Sequence, residues 1–455
     1  MSNYLFLLLS WVALGLIIAQ LPKITGRASV GLPLAYFTGL FLIHWPGAAI
    51  YLVEGYYYYN PDVVMEGFYL TTWGVVAFAV GLLAISLLHK RLKLARVETR
   101  SHAVAHMSIE TNKLAKLFLY TGLFSYLFLQ PLLSGVATIS AVVSGMAALS
   151  IVGTCLGIWG AVQGKNTRRF WRWLLVAFMF PFITLLNAAF VGYGVHSMIT
   201  IFAFTFVLIR LRPRIVLTAL VFAYLGMSFY VSYMRDRTEY RELVWQQQAG
   251  YLDRLEKVSD MFINFEFFDP DNSNHLRLVD LRLNQNHLVG SSIYYLEKGN
   301  RSFAGGETIF NSFIALIPRA VWPNKPKVGG GGDIVTNYTG ISFAKGTSVG
   351  AGQILEFYVN FGRDGVLVGM FILGMLIGFF DLHAAYNLRA GNRRGFILWF
   401  LPGLGFLQAG GNLIEVTTTV GASVGTAMIA IFIARKYMRR KSSVTDWMPD
   451  QVRHD

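Results

Sequence analysis

The sequence is poor in charge and has almost no cysteine. Only 14% of its 455 residues are charged, whereas soluble domains carry about 25%. That balance excludes a water-soluble fold. The single cysteine, Cys155, lies in an apolar run, which excludes an intrachain disulfide and a cysteine-based metal site. The formal net charge of +14 does not indicate nucleic-acid binding, because the basic residues fall in short clusters between apolar runs.

Long apolar runs make up most of the chain, 54% of which is hydrophobic. A membrane-spanning helix needs roughly 17 to 25 mostly apolar residues, so the sequence predicts an all-α polytopic membrane protein with about eleven spans. No basic residue precedes the first run, so we expect a retained helix and no cleaved signal peptide. The predicted spans are Tyr4–Leu21, Val30–Val53, Phe68–Leu88, Leu117–Leu133, Val136–Val162, Trp173–Phe190, His196–Ile209, Ile215–Tyr233, Ile354–Phe380, Phe396–Ala409 and Val416–Ala434.

Lysine and arginine occur in alternate loops, which predicts the orientation of the chain. Short loops rich in these residues stay in the cytoplasm; the loops 54–66 and 130–135, in contrast, contain neither. An odd number of spans, with the N-terminus outside and the C-terminus inside, fits this alternation. The predicted organisation is a bundle of about eight spans over 1–233, a long outer loop with interfacial helices over 234–352, about three spans over 353–434, and a basic cytoplasmic tail over 435–455.

The long loop is the one part with enough polar residues to build a binding site. Arg235 and Arg237 begin it, among acidic residues at helical spacing. They are candidates for binding an anion, although a solvated helix with i,i+4 ion pairs explains the same pattern. Two apolar stretches, 262–268 and 309–321, are too short to span and are typical of interfacial segments.

Three cations near the end of the loop form a second candidate anion site. Prolines stiffen the chain around Arg319, Lys325 and Lys327, and Trp322 is an aromatic residue of the kind found at headgroup level. The glycines at 329–332 allow turns whose N–H groups meet phosphate oxygens, or they form a flexible linker.

After the loop, Gln353, Glu356 and Asn360 are spaced i, i+3 and i+7, which predicts one helical face. A carboxylate near the mouth of a span is costly unless it faces a wet cavity or a partner, so Glu356 is a candidate functional residue. The alternative is a structural pair with an arginine of the loop. His275 and His287 lack a second histidine at ligand spacing, and no metal site is predicted.

The stretch IPRAVWPNKP, the glycine-rich segment after it and GQILEFYVNFG at the start of a span resemble the O-antigen polymerase (Wzy) type of bacterial oligosaccharide repeat-unit polymerases. The many-span layout with one large late outer loop is similar too. The resemblance implies a GT-C-like membrane glycosyltransferase of the bacterial inner membrane. It would use undecaprenyl-diphosphate-linked oligosaccharide without a metal or other cofactor, alongside a chain-length regulator and a flippase.

Under this resemblance, Arg319 and Glu356 are the expected catalytic residues. The residues expected to bind the diphosphate or the rest of the substrate are Arg235, Arg237, Lys325, Lys327, Gln353 and Asn360. Three alternatives stay open: an O-antigen ligase with the same diphosphate site, a transporter or flippase of lipid-linked oligosaccharide, and a non-enzymatic assembly or sensor protein.

Overall fold

The computed structural model describes residues 2–91, 104–133, 137–209, 213–245, 250–317, 321–322, 324–325, 329–343 and 349–445. The structure is 82% helix, with no strand among these residues, which confirms the predicted all-α class. The α-helices are α1 (Ser2–Ile24), α2 (Leu32–Ala49), α3 (Pro61–Arg91), α4 (Val104–Phe124), α5 (Gln130–Leu133), α6 (Ala137–Ala147), α7 (Leu149–Gln163), α8 (Thr167–Ala188), α9 (Gly192–Leu208), α10 (Pro213–Trp245), α11 (Tyr251–Ile263), α12 (Ser273–Leu283), α13 (Asn286–Glu297), α14 (Glu307–Ala315), α15 (Gly331–Thr339), α16 (Gly352–Arg389), α17 (Arg393–Gly405) and α18 (Leu413–Thr445).

Seven segments are long and apolar enough to cross a membrane, as expected of a helical membrane protein. They are Tyr4–Ile24, Leu32–Leu52, Pro61–His89, Ser140–Gln163, Thr167–Ala188, Gly352–Arg389 and Leu413–Arg435. The other four predicted spans fall on α4–α5, α9, α10 and α17; α9 has 17 residues and α17 has 13. The total of eleven spans therefore stays a prediction.

The helices α3 and α16 form the central pair of the bundle and run parallel. At one end Arg363 is paired with Glu66 at 2.6 Å. At the other end the rings of His89 and His383 lie 5.9 Å apart. Residue numbers therefore rise together along both helices, and the two must cross a membrane in the same direction.

The predicted span that begins near Ile354 is broken and reverses direction. Phe361 and Gly362 have non-helical backbone angles, and Gly362 has φ 64° and ψ −151°. A Cβ built on Gly369 would lie 2.5 Å from the ring of Phe357, although twelve residues separate the two in the sequence. The segment 352–360 therefore folds back along the helix that begins at Arg363. Hydropathy predicted one crossing helix here, whereas the structure has a short helix, a tight turn and then the crossing helix.

The short helix 352–360 starts deep in the bundle. Ile354 lies beside Gly74, within 3.8 Å of a Cβ built on that glycine. Gly74 is eight residues beyond Glu66 on α3, which corresponds to about 12 Å at 1.5 Å per residue. The segment thus descends from the Glu66 end and returns to it, and its polar residues lie inside the bundle.

Helices α11 to α15 cover the Glu66 end of the bundle. α13 approaches α3 closely, since a Cβ at Gly290 would lie 1.8 Å from the carbonyl oxygen of Val63. α11 exposes Leu252 and Ile263 at 80% and 79%, and α14 exposes Phe310 at 66%. Such outward apolar faces on short helices are typical of segments that lie in a membrane interface.

Candidate functional site

Three arginines gather where the last turns of α10 meet the end of α12. Arg237 and Arg241 are one turn apart on α10, and Arg282 of α12 lies within electrostatic range of Arg241. Burial and the charges of Arg237 and Arg282 lower the pKa of Arg241. Arg237 lies at the hydroxyl of Tyr233, and the Arg241 guanidinium stacks 3.8 Å from the ring centroid of Trp245.

This group, Arg237, Arg241 and Arg282, is called the arginine cluster below. Across the described ranges, no carboxylate lies within ion-pair distance of any of the three. Like charges held together without carboxylates repel one another, so the site favours an anion that carries more than one charge. One guanidinium group can bind two phosphate oxygens at once. A diphosphate carries more than one negative charge and several such oxygens, so it matches the arginine cluster.

Arg235, which the sequence also proposed for anion binding, is neutralised in the structure. Its guanidinium contacts Asp236 at 2.8 Å and also Glu266. Nearby, Lys257 pairs with Glu239 at 2.6 Å. Arg235 is therefore paired with its neighbour in sequence and with a residue beyond α11, and not in the i,i+4 pairs that the sequence offered as the alternative. Arg237, two residues on, lies in the arginine cluster.

Lys325 caps a helix. Its ammonium donates to carbonyl oxygens at the end of α14, the closest being that of Ile317 at 2.9 Å. A cation at the C-terminal end of a helix also interacts favourably with the helix dipole. The remaining predicted cations, Arg319 and Lys327, lie outside the described residues.

Gln353 ties three parts of the bundle together. Its amide oxygen accepts from the hydroxyl of Tyr36 at 2.8 Å. Its amide nitrogen donates to the carbonyl oxygens of Gln408 and Gly411, both at 2.6 Å. These bonds occupy both ends of the amide, so the contacts of Gln353 are structural, and substrate binding by it stays a prediction.

Glu356 is 0% exposed and lies at the N-terminus of α18, where Oε2 accepts the backbone N–H of Leu413 at 2.6 Å. The partner is thus a helix end and not an arginine of the loop. The Thr308 hydroxyl interacts with the same carboxylate, although Oε1 has no hydrogen bond of ordinary geometry among the described atoms. Asn360, one turn on, donates to Thr308 at 2.7 Å and accepts from the backbone N–H of Gly306 at 3.0 Å. These bonds hold the start of α14 over the short helix.

The junction of α12 and α13 links the arginine cluster to the short helix. Gln285, three residues after Arg282, donates its backbone N–H to the carbonyl of Ile43 at 2.9 Å. Its amide donates to the carbonyl of Gly350 at 3.2 Å, just before the short helix that carries Glu356. A rigid connection therefore joins a surface cation site to a buried carboxylate.

Arg237 and Glu356 were candidates from the sequence and their roles stay predictions, whereas Arg241 and Arg282 were not singled out as site residues. Arg241 could have been found from its i+4 spacing to Arg237. For Arg282 there was no such signal, because only the packing of α12 against α10 brings it near; the hydroxyl of Tyr230 on α10 donates to the carbonyl of Leu278 on α12 at 3.2 Å.

Comparison with known proteins gives a family but no activity. No curated protein and no solved structure matches the chain significantly. One family model matches residues 80–438, which include α16, Glu356 and the whole arginine cluster. The chain therefore belongs to the family described as domain of unknown function DUF8712.

Proposed function

We propose that this protein is a membrane glycosyltransferase that polymerises undecaprenyl-diphosphate-linked oligosaccharide repeat units into O-antigen, capsule or exopolysaccharide. It would act on the outer face of the bacterial cytoplasmic membrane through a GT-C-like bundle of about eleven spans. The resemblance of IPRAVWPNKP and GQILEFYVNFG to the Wzy type supports this. The single structural observation that carries the proposal is the arginine cluster, which has no carboxylate partner in the part of the chain that the structure describes.

The surroundings of the cluster suit a lipid-linked donor. Arg237 and Arg241 lie on α10, and below them the same helix exposes apolar side chains, among them Leu220 at 64% and Phe222 at 51%. A prenyl diphosphate has its tail in the hydrocarbon and its charge at the membrane surface. The exposed apolar part of α10 suits the tail, and the arginines at the end of the same helix suit the diphosphate. The exposed apolar turns lie about 18 to 25 Å along the helix from Arg237, at 1.5 Å per residue.

The chemistry needs both parts of the site. The oxygen of an acceptor sugar hydroxyl forms a bond to the anomeric carbon of the donor glycan, and the bond from that carbon to the diphosphate oxygen breaks. The leaving diphosphate takes the electron pair, and fixed guanidinium groups stabilise its developing charge. The hydroxyl proton goes to a carboxylate base, for which Oε1 of Glu356 is the candidate; because that side chain is 0% exposed, the acceptor reaches it only after the bundle opens around it.

The test uses the purified full-length protein in nanodiscs with lipid-linked repeat units from the native host. Arg237→Ala and Arg282→Ala should each lower the polymerisation rate by more than about tenfold, since a hydrogen bond to a charged group is worth about 1.5 to 3 kcal/mol. Arg237→Lys should recover only part of the rate, because an ammonium cannot bind two oxygens in a plane. Arg277→Ala is the matched control, an exposed arginine on α12.

A deletion strain separates the alternatives. Single repeat units on outer-leaflet carrier lipid support the polymerase. Uncapped long polymer would indicate a ligase, and repeat units trapped on the inner leaflet a flippase. Normal rates for Arg237→Ala and Arg282→Ala would remove the cluster from the mechanism.

A further inference from the structure

Four consecutive tyrosines, 56–59, form the loop that leads into α3. Tyr57 is 73% exposed and Tyr58 is 44% exposed. The ring of Tyr58 meets that of Tyr59 edge-on at 4.7 Å, and Tyr59 stacks on His287 with centroids 3.5 Å apart. Burial lowers the pKa of His287 to about 4, so this ring is neutral near pH 7 and belongs to an uncharged aromatic surface.

The tyrosine loop is fixed to the helix that carries Arg282. Asp280 of α12 accepts from the hydroxyls of Tyr51 and Tyr56 at 2.8 and 2.9 Å, and from the amide of Asn284 at 2.6 Å. Burial raises the pKa of the Asp280 carboxyl, and these hydrogen bonds offset part of that effect. The loop that carries the exposed rings is therefore anchored at Tyr56 to the helix of the arginine cluster.

Arg282 also lies within electrostatic range of Tyr59. Burial raises the pKa of Tyr59, and the positive charge of Arg282 acts against that rise. The order along the surface is Arg237 and Arg241, then Arg282, then the tyrosines. A lipid-linked oligosaccharide has its parts in the same order, with the tail first, then the diphosphate, then the sugars.

Tyrosines at a membrane interface often anchor a protein to lipid headgroups, and this loop lies at that level. It begins three residues after Val53, where one predicted span ends, and it ends two residues before the apolar segment Pro61–His89. The Glu66–Arg363 ion pair, with half of the Arg363 side chain exposed, marks a wet environment on the first turns of α3. Rings at this level meet either lipid headgroups or the sugars next to a lipid diphosphate, and oligosaccharide binding distinguishes the two.

We infer that Tyr57 and Tyr58 form a shelf that binds a pyranose ring of the donor oligosaccharide, next to the diphosphate held by the arginine cluster. The weakly positive C–H face of a pyranose stacks on the negative face of an aromatic ring. Rigid rings lose little conformational entropy on binding. The inference rests on the proposed function, since that function supplies the glycan.

Two probes test the shelf and the arginine cluster separately. One is the repeat-unit oligosaccharide released by mild acid from the host's carrier lipid, and the other is farnesyl diphosphate. Binding of each to the full-length protein in nanodiscs is measured for Tyr57→Ala, Tyr58→Ala, the double variant and Tyr58→Phe. Tyr251→Ala is the matched control, a 66% exposed tyrosine on α11, outside the predicted spans.

Each alanine variant should bind the oligosaccharide about 2- to 10-fold more weakly, as expected for loss of one aromatic stack, with farnesyl diphosphate binding unchanged. Tyr58→Phe keeps the ring and should bind like the wild type. Wild-type oligosaccharide binding by the double variant, or none by the wild-type protein, would overturn the shelf. Failure of the proposed function gives a different result, namely farnesyl diphosphate binding that does not respond to Arg237→Ala or Arg282→Ala.

Discussion

A carboxylate at the start of a buried helix can serve the helix, the chemistry, or both. Oε2 of Glu356 accepts the first N–H of α18, which is a capping role that the helix dipole strengthens. Oε1 has no hydrogen bond of ordinary geometry among the described atoms. A capping role alone does not explain why this buried oxygen is left without such a bond. Oε2 therefore has the structural role, and Oε1 is the atom left for the proposed catalytic role.

Substitution of Glu356 distinguishes these roles. Glu356→Gln keeps an oxygen for the N–H of Leu413 and removes the charge, so we expect polymerisation to be lost with thermal stability nearly unchanged. Glu356→Ala removes the cap and should also destabilise the protein by about 1 kcal/mol. Polymerisation is assayed in nanodiscs and unfolding is followed by circular dichroism.

Glu415→Gln is the control, since that carboxylate accepts from the N–H of Asn412 in the same helical turn at 3.3 Å. It should retain polymerisation. Wild-type polymerisation by Glu356→Gln would leave Glu356 as a structural cap only.

At the scale of the element, the short helix 352–360 was predicted in part. The i, i+3, i+7 spacing predicted one face for Gln353, Glu356 and Asn360; all three are buried, but so is every residue of 352–360, so burial does not test the predicted face. Mean hydropathy over the whole run did not reveal the break, although the charged pair Arg363 and Asp364 directly follows it inside the predicted span. Gly362 was a second local signal, because a glycine inside a helical pattern weakens the helix, but it does not by itself predict a reversal.

Gly362 should be essential to the hairpin for its backbone conformation. Its φ of 64° and ψ of −151° lie in a region that other residues rarely adopt. A Cβ there would approach only the ring of Phe303, at 3.7 Å, so space is not the obstacle. Gly362→Ala should cost about 1 to 3 kcal/mol and displace Glu356, lowering both melting temperature and polymerisation.

Gly226→Ala is the matched control, because a Cβ at that helical glycine meets nothing within 4 Å. It should lose neither stability nor activity. Equal behaviour of the two variants in both assays would show that the turn tolerates a side chain.

For the whole molecule, composition was enough to predict the helical membrane class, because 54% hydrophobic and 14% charged residues leave no soluble alternative. The candidate site depended on tertiary pairing that sequence could not supply. Arg235 and Arg237 are equivalent in the sequence, yet Arg235 contacts Asp236 and Glu266 while Arg237 joins Arg282. That difference arises from how α10, α11 and α12 pack.

Orientation decides whether the arginine cluster meets substrate outside the cell. The parallel α3 and α16 agree with the predicted alternation, in which both cross from outside to inside.

In a variant with Cys155→Ala, Asn274→Cys should react with a membrane-impermeant maleimide in intact spheroplasts, and Thr167→Cys should not. Both positions are exposed on the protein, so the bilayer alone should separate them. Detergent should make Thr167→Cys reactive, which controls for access. Labelling of Thr167→Cys alone would invert the topology and move the arginine cluster to the cytoplasm, and the outer-face reaction would then be wrong.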